Sequence, residues 1–147
     1  MTPKARASQE VTLLIVDDDD VDVMGIERGL KKLKILNPVV RARDGAEGLA
    51  LLRDASAVQR PYIVLLDINM PRMNGIEMLA ELRNDSALTS SIVFVLTTSD
   101  ADEDKVAAYR LHVSGYIVKS RAGEGFLQAL ELFDHYWRIV DFPNSVE

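Results

Sequence analysis

The chain has 147 residues, a length that suits one domain with one hydrophobic core. Its 48% hydrophobic and 27% charged residues are typical of a folded globular protein, and its net charge of -6 argues against a nucleic-acid-binding surface. The absence of cysteine excludes disulfides, thiolate metal sites and a cysteine nucleophile. No apolar run approaches the roughly 18 residues of a membrane-spanning helix, and the N-terminus lacks the apolar segment of a secretory signal. We expect a cytoplasmic protein whose partners include neither nucleic acid nor membrane.

Short β-rich runs alternate with segments of helical periodicity along the chain. In the first such segment Val23, Ile26 and Leu30 recur at helical spacing. Turn signals such as Asn37-Pro38 and Asp44-Gly45 separate the segments. The predicted elements are a strand over 11–16, a helix over 21–34, a strand from 39, a helix over 46–57, a strand over 62–66, a helix over 76–83, a strand over 92–96, a helix over 101–111, a strand over 115–118 and a helix over 123–138.

Five alternations with short connections predict an α/β fold, a doubly wound, five-stranded parallel sheet with five helices on its two faces. Right-handed crossovers favour the flavodoxin-like strand order 2-1-3-4-5, whose switch point lies between the first and third strands. Ligands of such folds bind there, outside the carboxyl ends of the strands. We assign residues 11–138 to this domain, residues 1–10 to a flexible leader and residues 139–147 to a C-terminal tail.

Polar side chains stand at the end of four apolar runs. Asp17 and Asp18 follow the first predicted strand, Asp67 follows the third, Thr97 ends the fourth and Lys119 follows the fifth. If these strands are neighbours, three carboxylates, a hydroxyl and an ammonium meet at one edge of the sheet. Like charges about 4 Å apart repel by roughly 4 kcal/mol at an effective dielectric near 20, so the three carboxylates need a counterion or must take up a proton.

These groups suit a magnesium-dependent site at which an aspartate is phosphorylated. Asp17 or Asp18 would hold Mg2+ directly or through water, while Asp67 would be both a ligand and the nucleophile that forms an acyl phosphate. Lys119 would pair with Asp67 before the reaction and with a phosphoryl oxygen after it, and the Thr97 hydroxyl would donate to another oxygen. Positioning and charge neutralisation of this kind supply most of the catalysis in phosphoryl transfer.

The motifs around these residues resemble the receiver domain of two-component response regulators, the class that includes the chemotaxis regulator. The segment D-x-x-M-P-x-M-x-G, which begins at Asp67, is highly specific. It occurs together with L-I-V-D-D ending at Asp18, V-L-T ending at Thr97 and G-Y-I-V-K ending at Lys119. The resemblance covers about residues 11–132, with the motifs in the family's order.

The resemblance implies roles for individual residues. Asp67 would accept a phosphoryl group from a sensor histidine kinase, and the backbone carbonyl of Asn69 would complete the magnesium shell. Thr97 and Tyr116 would be switch residues, because Tyr116 matches the aromatic residue that turns inward when the threonine moves toward the phosphoryl group. Such a protein supports its own phosphorylation and dephosphorylation without being a multiple-turnover enzyme, and it signals by association with other proteins.

A finer similarity is to the single-domain regulators paired with bacterial phytochromes. It depends on Asn37-Pro38, Thr97-Thr98-Ser99, Ala108-Tyr109 and His135-Tyr136-Trp137. It implies a bacteriophytochrome as the kinase and a homodimer held by the C-terminal part of the chain. The tail of residues 139–147 carries apolar residues that are unusual at a solvated end, so we expect it to pack on a partner subunit; the alternative is that it folds back on its own domain.

Two positions depart from the family pattern. Family members usually have a proline after the lysine, in a cis peptide, whereas this chain has Ser120. A cis bond before a residue other than proline costs about 3–4 kcal/mol, so either the Lys119–Ser120 bond is trans with a shifted loop or the local structure absorbs the strain. Thr98 stands where many receivers have a smaller residue, which predicts narrower access and slower reaction with small phosphodonors such as acetyl phosphate.

Two other functions stay open at this point. The stretch from Asp17 to Val21 also satisfies the D-x-D-x-[TV] pattern of haloacid-dehalogenase-like phosphatases, with Asp17 as nucleophile. The last acidic pair of those enzymes should follow Lys119, however, whereas the third acid here, Asp67, precedes Thr97. The other alternative is a binding module that keeps the receiver fold but is never phosphorylated.

Overall fold

The computed structural model describes residues 10–119 and 125–139, apart from the side chains of residues 125–129 and 137. In this part of the chain five strands alternate with five helices, as the sequence predicts. The elements are β1 (Thr12–Val16), α1 (Asp20–Lys32), β2 (Val39–Ala42), α2 (Gly45–Leu52), β3 (Tyr62–Leu66), α3 (Gly75–Asn84), β4 (Ile92–Thr97), α4 (Asp102–Arg110), β5 (Gly115–Val118) and α5 (Gly125–Ile139).

The five strands form one parallel sheet in the order β2-β1-β3-β4-β5. This confirms the predicted flavodoxin-like topology. The register pairs Val16 of β1 with Leu66 of β3, and Leu66 with Val95 of β4, so β1 and β3 end level and β4 continues two residues further, to Thr97. Residues that follow these strands therefore begin side by side at the switch point between β1 and β3.

Hydrophobic residues fill both faces of the sheet. Along β1, Leu14 and Val16 belong to the cluster that includes Leu79 of α3, while Leu13 and Ile15 belong to the cluster that includes Phe133 of α5. Successive side chains of a strand point to opposite faces, so a strand covered by helices on both sides must be apolar at every position. This double coverage explains why the central strands appear as uninterrupted apolar runs in the sequence.

One helix end differs from the prediction. The helix predicted over 46–57 ends at Leu52. Beyond it the Asp54 carboxylate accepts hydrogen bonds from the backbone N–H and the hydroxyl of Ser56, at 3.0 and 2.7 Å. Such local side-chain bonds offer the backbone a turn in place of another helical turn.

Three sequence-based predictions concern segments outside the described residues. These are the N-terminal leader, of which only Glu10 is described, the Lys119–Ser120 peptide bond, and the C-terminal tail beyond Ile139. Each stays a prediction. Within the described ranges, none of the helices has the length and apolar character needed to cross a bilayer.

Candidate functional site

The neighbouring carboxyl ends of the central strands bring three of the predicted site residues together. Asp17, Asp67 and Thr97 are all buried, with 2%, 6% and 0% of their surface exposed. Lys119, directly after β5, reaches into the same pocket: its Nζ lies 2.7 Å from Asp17 Oδ2 and 3.7 Å from Asp67 Oδ2. The acidic, hydroxyl and ammonium groups selected from the sequence therefore meet at the switch point.

The carboxylate of Asp67 has a different environment at each oxygen. Its Oδ1 accepts a hydrogen bond from the Thr97 hydroxyl at 2.6 Å and one from the backbone N–H of Asn69 at 3.2 Å. Its Oδ2 faces the ammonium of Lys119. The loop after β3 thus folds back so that the backbone of Asn69 lies beside Asp67, while metal ligation by the Asn69 carbonyl stays a prediction.

A carboxylate that the sequence analysis did not select also contacts the ammonium. Asp22, in the first turn of α1, places its Oδ2 2.7 Å from Lys119 Nζ. One carboxylate oxygen from each of Asp17, Asp22 and Asp67 lies within 4.8 Å of the other two. The sequence contained an indication of this: Asp22 stands four positions before the core residue Ile26, on the inward face of the helix.

Asp18, the other predicted metal ligand of the β1–α1 loop, has an exposed side chain. Within the described residues it is not a member of the three-carboxylate group. A carboxylate at the rim of the pocket is accessible to a hydrated cation, and Mg2+ usually keeps several of its waters when it binds. The role of Asp18 as a ligand therefore stays a prediction that the fold allows.

The pocket places three carboxylates around one ammonium. Burial raises the pKa of Asp17, and the hydrogen bonds from Lys119 and from the backbone N–H of Asp19 offset this only in part. Burial by itself lowers the pKa of Lys119, but the hydrogen bonds to Asp17 and Asp22, together with the charges of Asp67 and Asp17, outweigh it and raise that pKa. The ammonium stays protonated, and its one positive charge is shared among three carboxylates, so it does not fully neutralise any of them. This excess negative charge on oxygen ligands fits the binding of a hard divalent cation such as Mg2+.

A chain of contacts leads from Asp67 to the predicted switch residue Tyr116. The backbone N–H of Ser99 donates to Thr97 Oγ1 at 3.3 Å, and the Tyr116 hydroxyl donates to the Ser99 carbonyl at 2.9 Å. The Ser99 hydroxyl in turn donates to Asp104 in the first turn of α4 at 2.5 Å. Ser99 therefore links Thr97 Oγ1 to the Tyr116 side chain of β5 and to the first turn of α4.

The fold and the polar groups at its switch point are those of a receiver domain. The model of the response regulator receiver domain family matches residues 13–131, and the chain belongs to that family. This confirms the resemblance drawn from the sequence motifs. The matched family is not that of the haloacid-dehalogenase-like phosphatases.

Similar proteins include other response regulators, and one of them is named for a phytochrome. Response regulator Rcp1 of Synechocystis sp. is 33% identical over 128 residues, which cover 85% of this chain and 87% of that protein. The structure of the phosphorylated cyanobacterial phytochrome response regulator RcpA aligns with a TM-score of 0.81 and 32% identity, covering 92% of this chain and 100% of that one. The Mn2+-bound form of Rcp1 aligns with a TM-score of 0.79 and 32% identity, covering 91% and 99% of the two chains.

Proposed function

We propose that this protein is a response regulator that accepts one phosphoryl group on Asp67, with Mg2+, and signals through association with other proteins. The observation that carries the proposal is the environment of Asp67, a buried carboxylate with the Thr97 hydroxyl on one oxygen and the Lys119 ammonium facing the other. The donor is a sensor histidine kinase. The name of the similar protein RcpA, a cyanobacterial phytochrome response regulator, supports a bacteriophytochrome in that role.

In the reaction a carboxylate oxygen of Asp67 attacks the phosphorus, and the bond from phosphorus to the donor's leaving atom breaks. Lys119 donates a hydrogen bond from one N–H to a phosphoryl oxygen. The Thr97 hydroxyl turns from Asp67 and donates to another phosphoryl oxygen. Asp17, Asp18, Asp67 and the Asn69 carbonyl would hold Mg2+, which would supply neutralisation of the phosphoryl charge. The acyl phosphate is the signalling state, so each chain reacts once per signal and does not turn over as an enzyme.

The readout follows from the contacts around Ser99. When the Thr97 hydroxyl leaves Asp67, the hydrogen bond from the Ser99 N–H to Thr97 Oγ1 must lengthen or move with it. Ser99 also holds the Tyr116 hydroxyl and the first turn of α4, so both respond. Val106 of α4 and Leu132 of α5 are exposed apolar side chains, and they support a use of these two helices in association with other proteins. A cytoplasmic homodimer held by the C-terminal part of the chain completes the proposal.

The test is chemical labelling of the purified chain. Acetyl phosphate with Mg2+ should add one phosphoryl group per chain, read as an intact-mass increase, and Asp67→Asn should abolish it. Asp20→Asn is the matched control, because Asp20 is an exposed aspartate that pairs with Arg41 and Arg43 rather than with Lys119. This control should be labelled like the wild type.

Other outcomes would favour the alternatives. A chain that reacts with neither acetyl phosphate nor beryllofluoride, and that behaves the same after Asp67→Asn, would be a receiver-like binding module without phosphorylation. Release of many equivalents of phosphate per chain from a phosphomonoester would instead indicate a phosphatase.

The kinase is identified by phosphoryl transfer to this chain from autophosphorylated histidine kinases of the source genome. A bacteriophytochrome is expected to react fastest.

A further inference from the structure

We propose that Asp22 is a positioning residue for Lys119, one that holds the ammonium away from Asp67 until Asp67 is phosphorylated. The inference rests on the proposed function and describes the regulation of the same site. Asp22 lies outside the four motifs that carry the family resemblance. Its contact with Lys119 joins residues that are 97 positions apart in the chain.

The distances from Lys119 Nζ show which carboxylates accept a hydrogen bond from it. Asp17 and Asp22 each accept a hydrogen bond from it at 2.7 Å. The distance to Asp67 Oδ2 is 3.7 Å, beyond the range of a hydrogen bond. Two of the three N–H donors are therefore bound to Asp17 and Asp22, and the ammonium acts on Asp67 through its charge alone.

Asp22 is held in place by the start of α1. The Asp19 side chain caps this helix and accepts hydrogen bonds from the backbone N–H groups of Val21 and Asp22, at 2.8 and 3.3 Å. The next residue, Val23, is buried in the core and anchors the same turn. The side chains of Lys119 and Asp22 are 13% and 32% exposed. A fixed, partly buried carboxylate binds an ammonium more tightly than a mobile surface one, since less side-chain entropy is lost.

The consequence follows from linkage between the two states. A phosphoryl group on Asp67 brings new oxygen acceptors toward the third N–H of Lys119. Because Nζ now lies 3.7 Å from Asp67 Oδ2, a shift of the ammonium toward those oxygens weakens the contacts that it makes in its present position. Asp22 is on the side of Lys119 that belongs to α1, so its contact stabilises the unphosphorylated state selectively. An interaction present in one state lowers the affinity of any ligand that requires the other. Removing the Asp22 carboxylate should therefore favour the phosphorylated state.

The first measurement uses the full chain without metal or phosphoryl analogue. The Lys119 ammonium should give a 15N-detected NMR signal that is protected from solvent exchange in the wild type. Asp22→Asn should shift this signal and speed its exchange, and Asp22→Glu should restore it in part. Asp22→Ser, which also suits the first turn of a helix, provides a second variant should the asparagine variant fold poorly.

The second measurement is the binding of beryllofluoride at saturating Mg2+, followed by 19F NMR. Asp22→Asn should reach half-saturation at a concentration about threefold to tenfold below that of the wild type, the range expected for loss of one partly exposed ion pair. Asp20→Asn is again the matched control, because it removes one negative charge from the same turn without touching Lys119. It should change the affinity less than about twofold, as screened surface charges do.

The outcomes separate the two proposals. Unchanged beryllofluoride affinity or an unchanged Lys119 signal in Asp22→Asn and Asp22→Ser would overturn the positioning role. Equal effects of Asp20→Asn and Asp22→Asn would also overturn it, because net charge would then explain the gain. Failure of the wild type itself to bind beryllofluoride would instead overturn the proposed function, and the positioning role with it.

Discussion

The first residue of α3 lies directly against the backbone of the aspartate at the centre of the site. A Cβ atom on Gly75 would overlap the Asp67 carbonyl oxygen and would lie 2.8 Å from Ile68 Cα. The Gly75 N–H donates to the Ile68 carbonyl at 3.0 Å, and Asn74 caps the helix in a reciprocal pair of hydrogen bonds with Glu77. The glycine that closes the D-x-x-M-P-x-M-x-G motif therefore lets α3 begin against the strand end that presents Asp67.

Replacing this glycine with alanine should destabilise the protein. Gly75→Ala should lower the free energy of unfolding by about 1–3 kcal/mol, because the added methyl group meets backbone atoms that cannot rotate away. Gly25→Ala is the matched control: Gly25 lies within α1, and no heavy atom would lie within 4 Å of its Cβ. This change should raise the free energy of unfolding by about 0.5–1 kcal/mol through helix propensity. Urea unfolding followed by circular dichroism measures both, and effects of the same sign would contradict the steric explanation.

The hydrogen bond from Thr97 to Asp67 should contribute measurably to the free energy of unfolding. Thr97→Val keeps the shape of the buried side chain but removes the donor, and should cost about 1.5–3 kcal/mol because the acceptor is a buried carboxylate. Thr97→Ser keeps the donor and loses one buried methyl group, which costs about 1 kcal/mol. Urea unfolding should rank wild type above serine and serine above valine. In a protein that also carries Asp67→Ala, Thr97→Val should lower the free energy of unfolding by less. An unchanged loss would mean that it comes from packing and not from the hydrogen bond.

Magnesium should stabilise the folded chain by mass action. A ligand at a hundredfold excess over its dissociation constant adds about 2.7 kcal/mol to the free energy of unfolding. Thermal unfolding in Mg2+ and in EDTA should show this gain for the wild type and for Asp20→Asn, while Asp67→Asn and Asp18→Asn lose most of it. Asp18 is exposed, so its replacement should change stability little in EDTA. Full magnesium stabilisation of Asp18→Asn would remove Asp18 from the ligand set and leave Asp17 as the ligand from its loop.

Sequence reasoning located the site because parallel-sheet physics places chemistry at strand ends. A run such as Tyr62–Leu66 is recognisable since helices cover both faces of its strand, and the first polar residue after it, Asp67, must then lie at the sheet edge. The same argument places Asp17 and Thr97 without knowledge of any contact. Topology supplied the rest, because the order of the strands decides which ends are neighbours.

What the sequence did not predict depends on contacts that no periodicity encodes. The end of α2 at Leu52 is decided by hydrogen bonds of Asp54 with Ser56, which compete with one more helical turn. The role of Asp22 was missed because acidic residues at a helix N-terminus have an adequate local explanation in the helix dipole. Its partner Lys119 is distant in sequence, and only the tertiary fold brings the two side chains together.

Arg83, in the last turn of α3, joins two loops to the helix. Its guanidinium donates hydrogen bonds to four backbone carbonyls, at distances from 2.6 to 2.9 Å. The acceptors are Thr89 and Ser91 before β4 and Leu111 and His112 before β5. This side chain therefore fixes the starts of the two strands that lead to Thr97 and Lys119.

Arg83→Lys should lower the free energy of unfolding by about 2–4 kcal/mol, since an ammonium cannot present a planar fork of donors to four carbonyls. Arg60→Lys is the matched control: Arg60 donates one hydrogen bond, to the Ala87 carbonyl at 2.7 Å, and lies over the Tyr62 ring. The free energy of unfolding of Arg60→Lys should fall by less than about 1 kcal/mol, the usual scale for one exposed contact. Urea unfolding of the two variants under identical conditions makes the comparison. Similar losses would mean that the four carbonyls are satisfied by solvent once Arg83 is gone, and that the loops hold their positions without it.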